Sequence, residues 1–287
     1  MKPKSLHIAH LSEINLAVLF ISTSGALGRY IELPVPITIA SRAIIAFFVL
    51  WLYCRYRKVS FRIESKDRLP IFLSGFLMCL HWITYFYALQ LSNVAIGMLS
   101  LFTFPILTAF LEPLLLKTKF QRVHLLLGLL VLTGIYLLAP DFDLKNEHTW
   151  AVGIGVLSAL FYALRNLLLK TKVTAYDGSM LMCYQVGMVA VLLIPALFFF
   201  DLSPISSQWP ALVTLAILTT ALGHTLFLRS FKNFSITTAS IISSVQPVYG
   251  ILIGALFLKE IPTLLTIVGG LLILSSVVIE SFRSYRR

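Results

Sequence analysis

Ten runs rich in Leu, Ile, Val, Phe and Ala succeed one another along the chain, at 14–33, 36–54, 70–90, 94–116, 122–139, 150–170, 180–200, 209–231, 236–258 and 263–282. Short polar or Pro/Gly-containing connectors separate them. A bilayer core of about 30 Å is crossed by about 20 apolar residues in a helix, and an open chain satisfies its backbone in lipid in no other way. The pattern predicts an all-α integral membrane protein of ten transmembrane helices. Composition agrees: of 287 residues, 58% are apolar or aromatic and 12% charged, which is too little polar surface for a fold in water. A soluble enzyme, a disordered tail and a nucleic-acid module are excluded.

The net charge of +11 reports topology rather than phosphate binding. With the N-terminus placed in the cytoplasm, eighteen of the 23 Lys and Arg fall in cytoplasmic segments, six of them between Arg55 and Arg68. The opposite side carries Lys145 and Lys259, together with Asp141, Asp143, Glu147 and Asp201. By the positive-inside rule both termini are cytoplasmic. Cys54, Cys79 and Cys183 lie within apolar runs without metal spacing and read as small buried hydrophobes. Residues 1–10 are polar and lead into a run of spanning length without a small-residue cleavage site, so the first helix is expected to be retained. The cell (inner) membrane is the expected location.

An odd number of spans per half turns a duplicated half upside down, and the sequence carries traces of such a duplication. A shift of 142 positions brings Pro105 onto Pro247, Lys117 onto Lys259 and Gly128 onto Gly270. Ser22 and Arg29 are seven positions apart, as are Ser158 and Arg165, close to two helical turns and hence on one face. The expected domains are residues 1–139 and 140–287, two inverted five-helix repeats. Inverted repeats place a solute site near the midplane and expose it alternately to either side.

Several local patterns then converge. Pro36 precedes Arg42 in the second run, and Tyr85-Phe86-Tyr87-Ala88-Leu89 closes the third. Pro105 and Pro247 lie mid-run, Lys259-Glu260 precedes Gly269-Gly270, and Ser158-Ala159-Leu160-Phe161-Tyr162-Ala163 opens the second half. In these features the chain resembles the EamA-type permeases of the drug/metabolite transporter superfamily, over nearly its whole length. The resemblance implies ten helices in two inverted halves and small metabolites, often amino acids and often exported. Two positions depart from the family pattern. Thr118 stands where a Glu often follows the fourth span, opposite the retained Glu260. Ile21 stands where smaller multidrug relatives carry a membrane-centre Glu, which weakens a proton-coupled cationic-drug reading.

An ionisable side chain within a span costs about 2.5–3.5 kcal/mol on insertion scales and so needs a partner or a role. Arg42 is the leading substrate contact; a packing arginine bonded to carbonyls is its alternative. Arg29 and Arg165 are gate or coupling candidates, although snorkelling to the headgroups would account for either alone. His81 and His224, at almost equivalent repeat positions, could bind solute or carry a proton. Trp82, Tyr85, Tyr162, Tyr184 and Tyr249 are candidate amphipathic walls, and Gln185 and Gln246 candidate polar contacts. Glu112, followed by Pro113, is a coupling candidate; its stronger alternative is a local ion pair with Lys117. Pro105 and Pro247 are expected to kink their helices.

Three arginines and two histidines against one carboxylate favour an anionic or zwitterionic solute. The expected function is alternating-access transport, as export, of an amino acid or related organic anion, with a proton as one candidate coupling ion. Efflux of other small solutes or drugs is an alternative within the class. No G-x-x-x-x-G-K-[ST] occurs, so ATP hydrolysis by this chain is excluded. An intramembrane lipid-modifying enzyme would show clustered carboxylates or H-E-x-x-H, and neither is present. A channel would show rings of like side chains in an oligomer. No cofactor, metal or nucleic-acid partner is expected; the partners are the solute and the bilayer, with the chain a monomer or homodimer.

Overall fold

The computed structural model describes residues 4–117, 123–138, 145–234, 239, 243 and 245–285. Its first half contains α1 (Lys4–Tyr30), α2 (Val35–Tyr56), α3 (Ser65–Leu91), α4 (Val94–Leu101), α5 (Phe104–Leu116) and α6 (Val123–Leu138). The second contains α7 (Glu147–Leu169), α8 (Gly178–Leu193), α9 (Ile205–Thr214), α10 (Thr225–Ser230), α11 (Gln246–Ile253) and α12 (Leu264–Tyr285). A 3₁₀ segment, Ile194–Phe198, extends α8. Leu215–His224 joins α9 to α10 in π-helical form, and Gly254–Leu258 continues α11 likewise.

Helix starts follow from local chemistry. Pro34 and Pro36 flank the first residue of α2, where the missing N–H costs nothing. Asn93, Asn146 and Asp177 cap α4, α7 and α8 by accepting the N–H of Ile96, His148 and Ser179 at 2.9, 2.9 and 2.8 Å. At Pro105 the sequence predicts a kink in one long helix. Instead α4 ends at Leu101 and α5 starts at Phe104, with Pro105 in its first turn. Thr103 Oγ1 donates to Ser100 O at 2.8 Å, so a hydroxyl takes up one of the carbonyls the break sets free. Pro247 likewise sits in the first turn of α11. Both prolines mark helix starts because a ring without an N–H fits a first turn better than an interior.

Among the described residues, seven helical stretches are long and apolar enough to cross a membrane: His10–Tyr30, Val35–Tyr56, Ser65–Leu91, Val94–Leu115, Glu147–Leu169, Gly178–Phe198 and Ile205–Ser230. Three further apolar helices, Leu126–Leu137, Gln246–Leu258 and Leu264–Ser276, are shorter. Polarity is inverted relative to a soluble fold. Phe48, Leu132, Phe199, Phe257 and Leu271 face outward, whereas Arg42, Arg165, Gln185 and His224 are buried. This is the distribution lipid demands. The protein is a multi-pass integral membrane protein.

The two halves interleave. α3 and α4 pack along α7, and the π-helical Leu215–His224 stretch and α11 pack along α1. α2 pairs with α8, and α6 with α12. Arg42 of α2, His81 of α3 and His224 of the π-helical stretch thereby reach one place at the centre.

Candidate substrate site

That place is a small cavity lined by Arg42, His81, Trp82, Tyr85, Tyr162, His224 and Gln246, with Ile21, Ser24, Met98, Phe102 and Phe104 among the rest. Its volume is about 20 Å³, on the scale of a single ordered water. As the side chains stand it is too small for an organic solute. A larger cavity of about 590 Å³ lies between α2, α3 and α8. Phe47, Trp51, Phe72, Met188 and Val191 line it, and its one phenol, Tyr184, is tied to Phe61 O at 2.7 Å. No charged side chain lines it.

Arg42 organises the central cavity. Its Nε donates to Thr220 Oγ1 at 2.5 Å, and its guanidinium carbon lies 3.9 Å from the centre of the Trp82 ring and 5.6 Å from that of Phe86. Nη1 and Nη2 are buried without a hydrogen-bond partner. So are His224 Nδ1 and Thr225 Oγ1. The Tyr85 hydroxyl has Ser24 as its neighbour but makes no well-formed hydrogen bond. Leaving an ion buried and unpaired costs several kcal/mol after relaxation, so unused donors of this kind point to a ligand that completes them. A carboxylate has the matching fork.

His81 is held differently. Ser158 Oγ donates to His81 O at 2.8 Å and lies 2.8 Å from His81 Nδ1. A hydroxyl has one hydrogen, so once it is given to the carbonyl the imidazole must donate through Nδ1–H. The ring stacks on Tyr162 at 4.6 Å between centroids, and His224 lies 5.7 Å from Trp82.

The other residues singled out from the sequence fall elsewhere. Arg165 does not snorkel: it is fully buried, with Nε on Gln185 Oε1 at 2.7 Å and Nη1 on Asn166 Oδ1 at 2.8 Å. It lies behind Tyr162, 5.8 Å from the ring centre. Gln185 consequently serves Arg165 and does not line the cavity, because its amide oxygen is already engaged. Tyr249, one turn beyond Gln246 in α11, is only half-buried and lies outside the lining. Tyr184 lines the apolar cavity instead.

Arg29 and Glu112 lie at opposite ends of the bundle. Arg29 Nε pairs with Glu260 Oε1 at 3.0 Å, and Glu260 Oε2 accepts the Val94 N–H at 2.8 Å. Glu112 pairs with Lys170 of the other half, rather than with Lys117 as the local spacing suggests. Lys117 ends α5 in the left-handed conformation, a reversal that replaces the continued helix on which an i,i+5 neighbour would approach. At the same end Asp67 accepts from Lys172 Nζ at 2.6 Å and Tyr176 Oη at 2.7 Å. Thr118, Asp141 and Asp143 lie outside the described residues. Thr220, Asn166 and Ser158 as the partner of His81 do not stand out in the sequence, nor do Asp67, Lys172 and Tyr176. Two adjacent hydroxyls, Thr219-Thr220, inside an apolar run are the available signal.

The EamA-like transporter family model matches this chain twice, over residues 14–139 and 149–282. The chain belongs to the EamA-like transporter family. It is 24% identical to the pseudopaline exporter CntI of Pseudomonas aeruginosa, over 91% of this chain and 93% of that protein. It is 28% identical to a transporter of Archaeoglobus fulgidus, over 68% of this chain and 70% of that protein. A crystal structure at 18% identity superposes with a TM-score of 0.72, covering 97% of this chain and 99% of the other; at that identity it supports the fold alone. The chain is thus a membrane transporter of a small-molecule solute and not an enzyme, and the lipid-modifying alternative is set aside.

Proposed function

We propose that this permease moves a small carboxylate-bearing metabolite, an amino acid or related organic anion, outward across the cell membrane by alternating access. The observation that carries the reading is the pair of unpartnered Arg42 Nη atoms at a central cavity that His224 also lines. Export is supported by the exporter among the relatives.

The cycle rests on ten spans in two inverted five-helix halves, divided near residue 140, with both termini cytoplasmic. Packing supports this arrangement. Matching each span to its counterpart five spans later turns the α3–α7 contact into the contact of the π-helical stretch with α1, and α4–α7 into α11–α1. The α2–α8 and α6–α12 pairs map onto themselves. Lys117 and Lys259, aligned by the 142-residue shift, both end their helices in the left-handed conformation, at φ 54° and 58°. The Arg29–Glu260 pair and the Asp67, Glu112 and Glu13–Arg229 ties close the two ends. Rocking of the halves requires each set to open in turn. A proton-coupled cycle would run through His81 and His224, the imidazoles at the cavity.

The test is flux of a labelled amino-acid and organic-anion panel in proteoliposomes, with and without a pH gradient. Saturable flux of one class is expected; its absence over the whole panel sinks the reading.

A further inference from the structure

The central cavity is equipped for one charge of a zwitterion and not for the other. Arg42 presents unpartnered Nη1 and Nη2 there, with His224 Nδ1 unpartnered nearby. An amino acid brings an ammonium as well as a carboxylate, and the ammonium needs either a carboxylate or an open aromatic face. Among the described residues, no carboxylate lines the cavity. Those of Glu13, Asp67, Glu112 and Glu260 stand toward the ends of the bundle and are engaged by Arg229, Lys172, Lys170 and Arg29.

The aromatic rings of the lining also have partners already. Arg42 covers Trp82 at 3.9 Å. Tyr162 stacks with His81 at 4.6 Å and has Phe104 edge-on at 4.9 Å. Tyr85 lies parallel to His81, with centroids 6.1 Å apart. Phe102 packs against Phe104 at 5.5 Å. Arg165, 5.8 Å from the centre of Tyr162, adds a second fixed positive charge behind that wall, bonded to neutral groups only. A cationic head entering here would meet the Arg42 guanidinium, with that of Arg165 behind the wall, and neutral hydroxyl or amide oxygens. A like charge in a dry site is repelled strongly.

We propose that the site selects against a cationic head group: an organic acid lacking an α-ammonium group is preferred over the amino acid of the same carbon skeleton. This rests on the carboxylate-transport reading above and narrows it.

The test uses the full-length protein in proteoliposomes and three matched pairs of labelled solutes. These are succinate against aspartate, glutarate against glutamate, and 3-phenylpropionate against phenylalanine. In the transported pair the deaminated acid is expected to show saturable flux at least tenfold above the amino acid. Arg42→Lys, which keeps the charge but loses the fork, is expected to weaken the acid's flux without reversing the preference. Equal flux, or faster flux of the amino acid, overturns the inference and leaves carboxylate transport standing. Saturable flux of neither member of any pair overturns both.

Discussion

Arg42 Nε donates to Thr220 Oγ1 across the interface between the halves, at 2.5 Å, while the Thr220 hydroxyl donates to Leu215 O at 3.2 Å. That second bond spans five residues, the spacing of the π-helical turn in which Thr220 sits. The π-helical stretch of the second half thus aims the arginine of the first. Thr220→Val keeps the shape and removes the acceptor. A hydrogen bond to a charged group contributes about 1.5–3 kcal/mol, and about 1.4 kcal/mol is tenfold in affinity. The Thr220→Val protein should insert normally and transport with KM raised about tenfold or more. Arg42→Ala should abolish saturable flux. An unchanged KM in Thr220→Val, measured in proteoliposomes, would show that Arg42 is aimed by something else.

A second expectation concerns the contact between α4 and α7. A Cβ on Gly155 would fall 2.7 Å from Ser100 Cβ, closer than two carbons tolerate, and both positions are helical backbone with little room to yield. Gly155→Ala should lower stability by about 1–3 kcal/mol, the usual cost of overpacking. It should register as a reduced Tm in detergent. Ser100→Gly in the same chain removes the clashing atom and should restore most of the loss; no rescue would place the strain elsewhere.

The fold class is legible in the sequence because lipid leaves an open chain one solution, and run length reveals it. The convergence of Arg42, His81, Trp82, Tyr85, Tyr162, His224 and Gln246 on one cavity is half-legible, since repeat-matched depth brings such residues level but does not choose their faces. Gln185 shows the limit. Its depth matches that of Arg42, yet its amide serves Arg165, because helix rotation decides whether a polar side chain meets the cavity or a neighbour. Glu112 shows another: its partner Lys170 lies 58 positions away, beyond any local pairing rule. The helix starts at Pro105 and Pro247 look like kinks in the sequence because a proline fits either one, and only the backbone on its N-terminal side distinguishes them.

Ser158 offers a sharper contrast with a superficially similar residue. Its hydroxyl serves both His81 O and His81 Nδ1, whereas Ser22, at the matching place in the first half, bonds back to Val18 O at 2.6 Å within its own helix. Ser158→Ala leaves a buried imidazole N–H without an acceptor, at a cost of about 1–3 kcal/mol. Ser22→Ala removes only a local back-bond and should change stability by less than about 0.5 kcal/mol. Equal Tm values for the two variants would contradict the role of Ser158 as the partner that holds His81.

The Arg29–Glu260 pair yields the expectation that bears most directly on transport. The two side chains are 39% and 22% exposed, so screening limits the pair to about 0–1 kcal/mol of stability. Its importance is positional: it joins α1 to the segment after α11, and Glu260 also holds the first N–H of α4. Glu260→Gln keeps an oxygen for Val94 N and discards only the charge, so the helix end survives while the tie across the halves is weakened. With Cys54, Cys79 and Cys183 replaced by Ala and Ser24→Cys placed at the cavity, a membrane-impermeant maleimide applied from the Glu260 side reports opening toward that side. Labelling should be several-fold faster in Glu260→Gln than in its parent, with little change in Tm. Asp67→Asn, which loosens the opposite end by removing the charge held by Lys172 and Tyr176, should slow labelling from that same side. Faster labelling in Asp67→Asn and none in Glu260→Gln would reverse the assignment of the two gates.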